Sequence, residues 1–121
     1  MSDEVTKRII EAAIEVHREL GPGLLESIYE QALCYEFDLQ QIEYKQQVPV
    51  DIVYKNMKIS GLRIDILVED NVVVEIKAVK TPANVVMSQT ISYLKAANLK
   101  QGLIINFSEK RLIDGVKRVP V

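Results

Sequence analysis

The 121-residue chain has one cysteine and one histidine, and no apolar run near the roughly 18 residues that span a bilayer. A lone cysteine, Cys34, excludes an internal disulfide, so a reducing, cytoplasmic setting is expected. The acidic start, Met1-Ser2-Asp3-Glu4, runs straight into a helix pattern, so neither a secretory signal nor a membrane partner is expected. Repeats, low-complexity tracts and linkers are missing too, which leaves one compact domain over residues 1–121. Positive charge is not in surplus, the formal net charge being −2, yet the total hides an asymmetry. Residues 1–79 carry −7 and residues 80–121 carry +5. A polyanion could meet the basic side while a cation neutralises some of the acids. Solvated surface charge explains the same numbers.

What is there begins with helices. Ile9, Ile10, Ala13, Ile14, His17 and Leu20 recur at three- and four-residue steps, predicting a helix over about 5–20. Gly21-Pro22-Gly23 ends it. A second helix is expected over about 24–41, burying Ile28, Ala32, Leu33, Tyr35, Phe37 and Leu39. The pattern then turns to alternation. Val48, Val50, Ile52 and Tyr54 form one strand, Lys55-Asn56 a turn, and 57–68 a second strand with a bulge at Gly61. Glu69-Asp70-Asn71 reads as a hairpin loop into a third strand over 72–79. Thr81 as N-cap and Pro82 in the first turn open a helix over about 83–99. A short strand follows at 103–107, and the tail from Ile113 offers an edge strand. The order ααβββαβ, with one further β, predicts an α/β fold: a mixed sheet flanked by helices.

The hairpin concentrates the polar residues. With a three-residue loop, Val68 faces Val72, Asp65 faces Glu75 and Arg63 faces Lys77. Opposed side chains lie about 4.5–5.5 Å apart at Cβ. Ile64, Ile66, Val74 and Ile76 would form the apolar face. Two carboxylates that close repel unless a cation or a proton lies between them. Oxygen ligands suit Mg²⁺ or Mn²⁺, which can activate water and offset charge on a phosphate, with Lys77 holding the water or the phosphate. A cross-strand ion network, with Arg63 and Lys77 neutralising the acids, accounts for the same residues.

Asp65 followed ten residues later by Glu75-Ile76-Lys77 resembles the core motif of the PD-(D/E)xK nuclease superfamily. Gly23-Leu24-Leu25-Glu26-Ser27-Ile28-Tyr29 resembles the signature of the small GxxExxY family within it, as do Val16 to Gly23 and Leu103 to Phe107. The superfamily's Pro-Asp pair is absent, since Ile64 precedes Asp65. The resemblance implies a restriction-endonuclease-like fold and a Mg²⁺- or Mn²⁺-dependent nuclease acting on DNA. It implies Asp65, Glu75, Glu26 and the Ile76 backbone carbonyl as metal ligands, with Lys77 catalytic. Gln89 and Tyr93, one turn apart on a helix face, resemble the Q-x-x-x-Y element that helps position DNA.

Arg63 and Lys80 flank this site as candidate phosphate contacts. Tyr29 falls one turn after Glu26, in a supporting role. His17 on the apolar helix side fits a packing residue better than a ligand. Cys34 is expected in the core. The competing function is a non-catalytic nuclease-fold binding or regulatory module, acting through a nucleic-acid or protein partner. An open sheet edge on so small a domain leaves room for a homodimer.

Overall fold

The computed structural model describes residues 2–120, with side chains from Glu4 to Pro120. Helix α1 spans Ser2–Leu20 and α2 spans Glu26–Leu39. Strands β1 (Tyr44–Tyr54), β2 (Met57–Val68) and β3 (Val72–Lys77) follow, then α3 (Ala83–Ala97), β4 (Gln101–Asn106) and β5 (Val116–Pro120). A single 3-10 turn at Leu112–Gly115 leads into β5. The sheet order is β1-β2-β3-β4-β5, with only β3 and β4 parallel because α3 crosses between them. No described helix is long and apolar enough to cross a membrane.

Two apolar layers hold the sheet. On one face α1 presents Ile9, Ala12, Ala13 and Val16, and α2 presents Tyr29, Leu33 and Phe37 at four-residue steps, against Ile66, Val74, Ile76 and Ile105. On the other, α3 presents Val86 and Leu94 against Ile64, Val73 and Ile104. In α2 the expected Ile28, Tyr35 and Leu39 are exposed instead. They share a stripe turned away from α1 and the sheet, and Tyr29 and Cys34 are buried in their place. Helix α3 begins one residue off the predicted cap: Pro82 is the N-cap, and the Thr81 hydroxyl donates to the Val79 carbonyl.

The strands have the predicted turns. Val68 pairs with Val72 around Glu69-Asp70-Asn71, where Glu69 and Asp70 take left-handed φ values of 52° and 54°. Gly61, at φ +132°, accompanies a register shift in the β1–β2 ladder between Val50 and Ile52. A second irregularity was not anticipated. Gln47 is left-handed at φ 52°, in a gap of the ladder between the pairs Gln46↔Ile66 and Val48↔Ile64. Asp65 lies opposite that gap. A left-handed residue breaks the two-residue alternation of its own strand, β1. Strand β2 loses its alternation at the same level, since Ile64 packs toward α3 and Ile66 toward α1 and α2. The expected single apolar face containing both is therefore wrong.

Candidate active site

Beyond Ile66↔Val74 the β2–β3 ladder stops, and the strands part at Asp65 and Glu75. Side chains replace main chain there. The Asp65 N–H donates to Glu75 Oε2 at 3.1 Å, and the Ile76 N–H donates to Asp65 Oδ2 at 2.9 Å. Each carboxylate satisfies an amide that the diverging strands leave without a ladder partner. The pair is therefore held side by side at the mouth of a fork.

Burial dominates the electrostatics. The Glu75 carboxyl is pushed up to about 8, chiefly by burial and then by the neighbouring Asp65 charge, with the Asp65 amide and Lys77 opposing. Asp65 is pushed up to about 6, again chiefly by burial, with the charges of Glu30 and Glu26 adding to it and the Ile76 amide and Lys77 opposing. The Tyr93 hydroxyl is raised by burial and then by the charges of Glu75 and Asp65. Glu26 from the first turn of α2 and Lys77 from β3 thus act on one carboxylate pair, whose charges in turn reach Tyr93 on α3.

The remaining candidates divide. Gln89 is exposed on α3 one turn before Tyr93, and Lys80 is exposed between β3 and α3. Arg63 does not face Lys77: it pairs with Pro49 on β1 and donates to the Gln47 carbonyl at 3.4 Å. Tyr29 bonds the loop before Glu26 and not its carboxylate. Its buried hydroxyl donates to the Gly21 carbonyl and accepts from the Leu24 N–H, pinning the loop between α1 and α2. Its ring stacks on Phe107 at 4.4 Å. His17 also stacks on Phe107, ring centroids 6.3 Å apart, with Nε2 2.9 Å from the Glu109 carbonyl, so it braces the loop after β4. Cys34 is buried, its thiol pushed up to about 12 by burial and then by Glu30 and Asp38. It stays protonated and inert.

Sequence reasoning missed Glu30. This buried carboxylate accepts from Gln46 Nε2 at 3.1 Å and from Gln47 Nε2 at 3.0 and 3.1 Å, and its charge reaches Asp65. It ties α2 to the kink opposite Asp65. The available signal was its place four residues after Glu26, on the same helix face.

Among the described residues, no three His, Cys, Asp or Glu side chains converge into a complete ligand set. The donor chemistry nonetheless fits a divalent cation. Asp65 and Glu75 are hard oxygen donors, and their raised proton affinities mark a buried pair short of positive charge.

A sheet in this order, with helices on both faces and acidic and basic residues at a strand fork, defines a class of protein. The model of the PD-(D/E)XK nuclease superfamily matches residues 3–119, and the chain belongs to that superfamily. Its fold is accordingly restriction-endonuclease-like, and such nucleases generally use divalent metals and take nucleic acid as substrate. Comparisons with curated proteins and with solved structures return no match.

Proposed function

We propose that the chain is a GxxExxY-type nuclease that hydrolyses DNA phosphodiester bonds with Mg²⁺ or Mn²⁺. The observation carrying this reading is the buried Asp65–Glu75 pair at the β2–β3 fork, with Lys77 acting on both carboxylates. Asp65, Glu75, Glu26 and the Ile76 backbone carbonyl would hold the ion. When bound, it supplies charge to the scissile phosphate and acidity to a water. Asp65 and Glu75 approach from strands made rigid by the core, so little rearrangement is needed to orient them.

Lys77 holds the attacking water and offsets the growing negative charge on phosphorus. Tyr93 and Gln89 orient the substrate from α3, while Arg63 and Lys80 meet flanking phosphates. Glu30, Gln46 and Gln47 do not touch the substrate. They hold the kink that sets Asp65 in the fork.

Linear, nicked and single-stranded DNA with Mg²⁺ or Mn²⁺ gives the test. Asp65→Asn, Glu75→Gln and Lys77→Ala are each expected to lose roughly 10²–10³-fold in rate. Metal-dependent cleavage surviving all three would overturn the assignment. The second reading, a binding module of the same fold, draws on the absence of a converged third ligand among the described residues. It predicts DNA binding with no cleavage by any variant or by the parent chain.

A further inference from the structure

Past the fork, β1 and β2 continue without β3. The pairs Val50↔Leu62, Ile52↔Ile59, Val53↔Lys58 and Tyr54↔Met57 form a two-stranded arm that ends at Lys55-Asn56. Beyond Asp65 the β2 edge of this arm has no strand partner among the described residues. Its tip is exposed: Val53 by 64%, Tyr54 by 60% and Met57 by 61%. The Lys55 ammonium lies over the Tyr54 ring, 5.5 Å from its centroid. Residues 48–64 contain Lys55, Lys58 and Arg63 against the single acid Asp51, a net +2 in a chain of net −2.

We propose that this arm is a nucleic-acid grip, in which Lys55 and Lys58 contact backbone phosphates and the Tyr54–Met57 tip packs against bases. It rests on the nuclease-fold site at its base but not on cleavage. Three physical points favour a polynucleotide over other occupants. The arm's charge is opposite to that of a phosphate backbone, and two-stranded ribbons fit the roughly 12 Å width of a major groove. An exposed tyrosine and methionine at a hairpin tip are of the kind that stack on or wedge between bases. Self-association is the poorer fit, because a tip of three exposed apolar side chains is small against the ~800 Å² per partner of a stable interface.

The arm also acts as a ruler. Met57 stands eight residues along β2 from Asp65. At about 3.3 Å per residue the tip lies roughly 26 Å from the carboxylates, a span of about seven to eight duplex base steps. Substrate extending that far on one side of the cut engages the arm. Shorter substrate does not.

Binding is measured by fluorescence anisotropy in Ca²⁺, on duplexes carrying about 4 or about 12 base pairs on one side of a single nick. DNA and RNA versions separate two sources of the same phosphate chemistry. The Lys55→Ala/Lys58→Ala variant is expected to weaken binding of the long duplex about tenfold or more. It should lower the slope of log Kobs against log[salt] by about 1 to 2, with no effect on the short one. Tyr54→Ala should remove the fluorescence change of a 2-aminopurine placed about seven bases from the nick. Equal salt slopes for parent and double variant overturn the grip, as does an unaltered 2-aminopurine signal in Tyr54→Ala. A concentration-dependent dimer that Tyr54→Ala/Met57→Ala abolishes makes the tip a self-association surface, and also overturns it. Arm-dependent binding without cleavage by the parent chain upholds the grip and defeats the nuclease reading instead.

Discussion

At the residue scale the protein turns on Glu75. Its carboxyl stays protonated up to about 8 because burial and the Asp65 charge both oppose ionisation. In the unfolded chain the same group ionises near 4.5. Stability from this group is complete below about 4.5, declines as the unfolded state releases its proton first, and is gone once pH passes about 8. Asp65 adds a like decline between 3.8 and about 6. Metal-free protein is therefore expected to lose stability between pH 5 and 8, with a slope from Glu75 of at most about 1.4 kcal/mol per pH unit. Glu75→Gln should flatten that decline between pH 6 and 8. Urea titrations at a series of pH values in EDTA check it, and parallel curves for parent and variant would contradict the assignment.

That Asp65 and Glu75 lie side by side was readable at this scale because a hairpin register follows from its loop length, and Val68 does face Val72. Arg63 was misread for a reason of the same kind. Its pairing with Lys77 assumed that the ladder continues, whereas it ends at Ile66↔Val74 and leaves Arg63 to β1.

At the element scale the G-x-x-E-x-x-Y segment has a structural meaning that its letters did not show. Glu26 opens α2, and Tyr29 reaches back with its hydroxyl to Gly21 and Leu24. Gly21 and Gly23 adopt φ values of +68° and +106°, conformations that favour glycine. The motif thus presents a carboxylate at a helix start and ties down the loop behind it. Tyr29→Phe keeps the Phe107 stack and removes two part-buried hydrogen bonds, for an expected loss of about 1–3 kcal/mol. Chemical denaturation measures this, and it should exceed the loss from Tyr35→Phe on the exposed face of α2. Helix boundaries and strand order were legible from periodicity and breakers. The kink at Gln47 was not, because a glutamine in a left-handed conformation has no sequence signature, and only its bond to Glu30 shows what holds it.

At the scale of the whole molecule the two apolar layers fix α2 on one face and α3 on the other, so that their side chains meet at the fork from opposite sides. A cation binding there joins groups from separate elements, and its binding free energy adds to folding stability. At about 100 times its Kd, Mg²⁺ or Mn²⁺ should contribute about 2.7 kcal/mol. For a domain of this size that raises Tm by roughly 10 °C. The shift should be larger at pH 8 than at pH 6, since protons compete for Asp65 and Glu75. Differential scanning calorimetry reads it, and an equal shift in Asp65→Asn would place the ion elsewhere.

The carboxylate pair, the lysine two residues on and the ααβββαβ order with a final β followed from sequence alone, because loop length, strand alternation and helical spacing are local properties. What only the tertiary structure decided is how the pair is held. Strands that part at Asp65, a kink at Gln47 and a buried Glu30 from a distant helix are consequences of long-range packing, and no local pattern encodes them. The arm beyond the fork has the same origin. Its strands were legible as strands, but that β3 leaves them uncovered is a property of the assembled sheet.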